Sequence, residues 1–296
     1  MPLPSLPEKY VPRLALLATV RSLVTGRPLY VADRPEPAAG LPVAGSGPVV
    51  NLVGMGGSGK STLARALLVD PVAQESFPDG SLWVDVGQNP DLASILTQLS
   101  SALGDPDPVA DVAAGRERLR RLLATGRRLL VLDNVWDAAA LQAFEPGLPT
   151  VRMLVTTRSR EVLPEDALIA EVGTLDDEQA RAVLASHAGI ARSRLPPDAD
   201  GVLAGCGGLV LALAVAGGMI ADGVAWADVA DRLGHADLAA LTTRFAGYPY
   251  PDLLRALDTG VAAPPGPLPG TRRVPRPGPC PARGGPPPVA GHGRAW

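Results

Sequence analysis

Nine consecutive residues, Gly54-Met55-Gly56-Gly57-Ser58-Gly59-Lys60-Ser61-Thr62, follow the spacing GxxxxGK[ST]. An apolar run, Val49 to Val53, precedes them, and a stretch with helical spacing follows. In that setting the glycines let successive backbone N–H groups turn inward around a phosphate, and the helix N-terminus adds partial positive charge. Lys60 then reaches the β- and γ-phosphates, and the Ser61 hydroxyl ligates magnesium. The bland alternative is a glycine-rich turn that binds nothing. Composition speaks to the choice, because Lys9 and Lys60 are the only lysines among 27 basic residues. In so arginine-rich a background, a lysine at position 60 needs a local chemical reason. The expected ligand is a purine nucleoside triphosphate or diphosphate with magnesium.

A second acidic element stands about 70 residues downstream. Leu129-Leu130-Val131-Leu132-Asp133 is an apolar run ending in aspartate, the form of a Walker B strand. Strand C-termini of a parallel sheet share one edge, so Asp133 would face Ser61 across the magnesium. Its alternative is an aspartate that only ends a strand or caps the next helix. The residue after it is Asn134, where a second acid often stands. Asparagine can orient a water but cannot take its proton, so hydrolysis should be slow or differently organised. Asp137 could substitute, or could cap a helix.

The elements that must position these residues read as follows. Strands are expected at Val49–Val53, Ser81–Val86, Arg128–Asp133, Val151–Thr157 and Leu168–Val172, alternating with helices. That order predicts an α/β fold: a parallel five-stranded sheet flanked by helices. Four further helices, within Asp176–His187, Ala199–Cys206, Leu209–Ile220 and Trp226–Leu233, predict a small all-α domain. The expected organisation is an entry segment at 1–48, a phosphate-loop domain at 49–173 and a helical domain at 174–245. A short remnant at 246–260 and a tail at 261–296 complete it. The tail holds 11 prolines, seven glycines and no acid in 36 positions, a composition expected to stay disordered.

The net charge of −3 gives no reason to expect nucleic acid as a partner. Two distant cysteines, Cys206 and Cys280, fit a reducing, cytoplasmic setting. Gly201 to Ala221 is long enough and uncharged enough to span a membrane. Its six glycines and lack of aromatic anchors favour a buried helix in a globular domain instead.

The loop GMGGSGKST, the segment from Phe77 through Trp83, the run LLVLDNVWD ending at Asp137, and Leu154-Val155-Thr156-Thr157-Arg158 together resemble the NB-ARC ATPases. The resemblance covers roughly residues 8 to 258. It implies that Thr156, Thr157 and Arg158 are a sensor-1 motif whose arginine reads the γ-phosphate. Arg158 therefore joins Asp133 as an expected catalytic residue, against the alternative of an exposed charge at a strand end. The resemblance also implies that Tyr10-Val11-Pro12-Arg13 lies against adenine and ribose, so Val11 and Arg13 are expected contacts unless this is an ordinary entry turn. Gly207 to Leu213 resembles the family's GLPLAL motif, with Val210 where proline is usual. Valine should loosen contact with the base without abolishing the helix that starts there.

Relatives in that family continue into a winged-helix domain. Tyr248 to Thr259 resembles its beginning, and the expectation from the tail is a truncated or frame-shifted product. The function implied is an ADP/ATP-binding signalling switch that couples nucleotide state to domain arrangement and to a protein partner or self-association. The alternatives are an AAA+-like ATPase with steady turnover, a small-molecule P-loop kinase and a non-functional remnant.

Overall fold

The computed structural model describes residues 3–27, 49–164 and 167–234. All of them belong to one compact unit, Met1–Ala262. The expectations for 28–48, 235–245, 246–260 and the tail lie outside the described residues.

Five strands form a single parallel sheet: β1 (Val49–Val53), β2 (Ser81–Asp85), β3 (Arg128–Val135), β4 (Val151–Thr157) and β5 (Leu168–Glu171). Their order across the sheet is β2-β3-β4-β1-β5. Side chains along a strand alternate between faces, and the apolar residues divide accordingly. Val50, Leu52, Leu129, Val131 and Leu154 enter one core, with α1 (Leu14–Thr25), α2 (Lys60–Leu68) and α3 (Pro71–Ser76). Val49, Leu130, Leu132, Met153 and Val155 enter another, with α4 (Leu92–Ala102), α5 (Val112–Leu122) and α6 (Ala138–Phe144). A sheet buried on both faces explains why its strands read as near-continuous apolar runs. At roughly 1.5–3 kcal/mol per buried large apolar side chain, these two layers hold the sheet edge in place.

Aspartates begin the helices. Asp70, Asp91, Asp111 and Asp137 each accept a backbone N–H from the first turn of α3, α4, α5 and α6. Neither α3 nor α6 is predicted from the sequence, because six or seven residues are too few to show a helical period. For α3, Pro71 at the first helical position and Asp70 as cap supply the start. β3 also runs two residues past its expected end. Between Leu132 and Val135 its register on β4 shifts by one residue, a bulge directly after Asp133.

The remaining helices are α7 (Asp177–Ala188), α8 (Ala199–Cys206), α9 (Val210–Ala221) and α10 (Trp226–Gly234). They share a third core that includes Leu184, Val202, Leu213 and Met219. Gly201 to Ala221 is thus two helices, and no helix among the described residues is long and apolar enough to cross a membrane. Four of its glycines, Gly201, Gly205, Gly208 and Gly217, serve close packing. A Cβ at Gly217 would stand 2.5 Å from His187 Cβ and 2.9 Å from the Leu184 carbonyl oxygen. Gly218, one residue on, has nothing within 4 Å of that position.

These neighbours make a paired test. Gly217→Ala should force α7 and α9 apart and cost about 1–3 kcal/mol. Gly218→Ala should be neutral or stabilising by up to about 1 kcal/mol, since alanine is the better helix former. Urea denaturation of both variants measures the difference.

Candidate functional site

The loop between β1 and α2 opens at the C-terminal edge of the sheet, into a cavity of about 500 Å³. Gly56, Gly57, Gly59, Lys60, Ser61 and Thr62 line it from the loop. Gly54 and Ser58 support the loop from behind. A Cβ on Gly54 would lie 2.3 Å from the Val172 carbonyl oxygen, and Ser58 is buried. The first-turn N–H groups of α2 have no intrahelical acceptors, so this end of the helix favours an anion.

Lys60 donates from Nζ to the Gly54 and Met55 carbonyl oxygens, each at 2.8 Å. Burial pushes its pKa down to about 8, the Arg158 charge pushes the same way, and Asp133 opposes both. Lys60 and Arg158 therefore line one cavity as like charges, and an anionic ligand would relieve their repulsion. Arg158 is exposed at the end of β4, and its guanidinium lies 4.8 Å from the centroid of the Trp136 ring.

Asp133 is the centre of a polar cluster. Its Oδ1 accepts hydrogen bonds from the Ser61 hydroxyl at 2.7 Å and the Thr156 hydroxyl at 2.5 Å. Thr156 Oγ1 in turn accepts the Asn134 backbone N–H at 2.9 Å, across the bulge. Asn134 has φ of 62°, a left-handed conformation that asparagine tolerates better than most residues. Its side-chain oxygen accepts the Trp136 indole N–H at 2.9 Å. Asp137 caps α6 and does not line the cavity. Ser61 Oγ and Asp133 Oδ1 are adjacent hard oxygens at the mouth of the loop. That donor set suits magnesium, with water and phosphate oxygens completing the shell.

The opposite wall comes from the N-terminal segment and the helices. Tyr10, Val11 and Arg13 line the cavity, as do Leu175, Gln179, Val183, His187, Val210, Leu211 and Ala214. Arg13 donates to the Ser58 carbonyl at 3.3 Å and the Gly173 carbonyl at 3.0 Å, so it also braces the loop. The Tyr10 hydroxyl is buried with no hydrogen-bond partner among the described residues. α9 begins at Val210 without a side-chain cap, and the Leu211 N–H donates to the Gly57 carbonyl at 3.2 Å. Gly57, at φ of 76°, would strain any side chain, and a Cβ there would crowd Leu211 Cβ at 3.0 Å. Sequence reasoning missed Asp85, Gln179, Val183, His187, Leu211 and Ala214. None carried a signal of its own: Asp85 stands out only because the strand it ends pairs with β3.

A parallel sheet with this loop at the edge of β1, and an acid at the edge of β3, defines a P-loop nucleoside triphosphatase fold. The chain belongs to the NB-ARC family, whose domain profile matches residues 41–193. Among relatives, apoptotic protease-activating factor 1 of Danio rerio is 32% identical over 188 residues, 58% of this chain and 15% of that protein. The regulatory protein AfsR of Streptomyces griseus is 35% identical over 212 residues, 68% of this chain and 21% of that protein. This chain thus spans about a fifth or less of the length of these curated relatives. A Walker-type ATPase of Pyrococcus abyssi shares the fold at 12% identity, with a TM-score of 0.51 over 83% of this chain and 78% of that one.

The lowered Lys60 pKa sets a pH dependence. A bound polyphosphate raises that pKa, so the ammonium's contribution is complete below about 8 and is lost as pH rises toward the bound value. ADP affinity, titrated without magnesium, should fall by up to about tenfold per pH unit above 8. In Lys60→Ala that slope should vanish.

Proposed function

We propose that this chain is an adenine-nucleotide switch: it holds ADP or ATP with magnesium in the cavity and couples nucleotide state to the arrangement of sheet and helices. The observation that carries this reading is the direct contact between the loop and the first turn of α9. Leu211 N–H binds the Gly57 carbonyl, and Val210 Cγ2 lies 3.4 Å from the position a Gly59 Cβ would take. Phosphates in the loop and a base beside Val210 would therefore act on α9 as well as on the sheet.

The roles in this reading are as follows. Lys60 and the first-turn N–H groups of α2 hold the phosphates, and Ser61 with Asp133 holds magnesium. Arg158 meets the γ-phosphate and so distinguishes ATP from ADP. Tyr10, Val11, Arg13 and Val210 enclose the nucleoside, where the buried Tyr10 hydroxyl lacks a partner. In this proposal the two moving parts are 49–173 and 174–245. A ligand shifts such an equilibrium only by its differential affinity for the two arrangements, which Arg158 supplies. A partner protein or a second copy would read the change, in the cytoplasm where ATP and magnesium are abundant. The names of the relatives, one apoptotic and one regulatory, agree with a signalling role.

Two measurements test this. Calorimetric titration with ADP and a slowly hydrolysed ATP analogue should show magnesium-dependent binding that weakens about a hundredfold or more in Lys60→Ala, the scale of losing a buried charged hydrogen-bond donor. Equal affinity of the two proteins would overturn the nucleotide site. Hydrogen exchange should then show that the two nucleotides protect residues 209–216 of α9 to different extents. Identical protection would remove the switch while leaving the binding site.

A further inference from the structure

Arg158 lines the cavity from the end of β4, and its side chain is exposed there. Among the described residues its guanidinium makes no hydrogen bond or ion pair; the Trp136 ring, with its centroid 4.8 Å away, is its support. A long arginine side chain free in solvent spreads over many rotamers, and ordering it costs affinity for any ligand it must meet. A ring face that attracts the cation narrows that spread before the ligand arrives. The Arg158 charge already acts inside the cavity, where it helps to lower the Lys60 pKa.

The ring is itself fixed from both sides. Trp136 follows the last residue of β3 and precedes Asp137, the cap of α6, so its backbone is tied at each end. Its indole N–H donates to the Asn134 side-chain oxygen at 2.9 Å, and the Asn134 backbone N–H donates to Thr156 Oγ1 at 2.9 Å. The ring's anchor therefore reaches β4, the strand that carries Arg158 at its end. The turn around Arg158 is held as well: the Thr157 hydroxyl donates to the Ser159 carbonyl at 3.3 Å and accepts the Ser159 N–H at 3.2 Å. Trp136 is half-buried and does not line the cavity, so the ring stands behind the arginine and not against a ligand.

We propose that Trp136 is a positioning residue for triphosphate recognition: its ring holds the Arg158 guanidinium where a γ-phosphate meets it. This role rests on the nucleotide site and the Arg158 assignment argued above. A guanidinium stacks through its face and donates through N–H groups in its plane, so ring and phosphate do not compete for it. A diphosphate offers Arg158 no γ-phosphate and draws nothing from the ring. Removing the ring therefore weakens the triphosphate selectively, and Trp136 sets part of the preference between the two nucleotides without touching either.

The test titrates the full chain, with magnesium, against ADP and the slowly hydrolysed ATP analogue. Trp136→Leu should lower affinity for the analogue about three- to tenfold, the scale of a cation–π contact, and leave ADP within about twofold of wild type. Trp136→Phe keeps a weaker ring face, should fall between the two, and carries the comparison where leucine prevents folding. In an Arg158→Gln background the same substitutions should change the analogue's affinity by less than about twofold, because the side chain they act through is gone. A purely structural Trp136 would lower both affinities together, with or without Arg158, and that result overturns the proposal. So does tighter binding of the analogue by Trp136→Leu, since the ring would then park the arginine away from the phosphate. If Arg158→Gln alone binds the analogue like wild type, the arginine's role falls and the ring's with it. If Arg158→Gln weakens the analogue while both Trp136 variants bind like wild type, only the ring's role falls. Wild type that binds neither nucleotide removes the site itself.

Discussion

The arrangement at the sheet edge turns on one carboxylate. Asp133 gathers the Ser61 hydroxyl from α2 and the Thr156 hydroxyl from β4 onto a single oxygen, at the point where β3 bulges. Each partner comes from a different element, so α2, β3 and β4 are held in mutual register. The bulge is part of the same device. It removes Asn134 from the ladder, gives its N–H to Thr156 and turns its amide toward Trp136. Trp136 in turn lies under Arg158. A chain of short polar contacts therefore runs from the loop to the exposed arginine, and charged members make such contacts stronger than neutral ones.

The second constraint is steric. Gly57 admits the backbone of α9 to the loop, and Gly217 lets α9 lie against α7. Small residues at these two places bring a helix from one core to the phosphate site that belongs to another. Cavity walls then come from the N-terminal segment, the loop, the sheet edge and the helices α2, α7 and α9 at once.

Much of this was legible in the sequence. The five strands follow from apolar runs, and Asp137 was legible as a possible cap of α6 although that helix is too short to show a period. The loop residues Gly56 to Thr62 could be read because their spacing is set by phosphate geometry alone. Asp85 could not, since its relevance depends on β2 lying beside β3, and strand order is not written in local spacing. Nor could the fate of Asn134, because a bulge is a property of two paired strands. Gln179, Val183 and His187 lie on one face of α7 that reads as ordinary helix surface until its neighbour across the cavity is known. For Arg13 the motif suggested a nucleoside contact, and the structure adds that it braces the loop through two carbonyls.

The Lys60 ammonium, held at 2.8 Å by two carbonyls of its own loop, has a consequence for the stiffness of that loop. Two donated hydrogen bonds tie residue 60 back to residues 54 and 55, so a side chain closes the turn from within as well as its own backbone. A turn fastened in this way carries less of the ordering cost that a flexible loop would impose on an anion it holds.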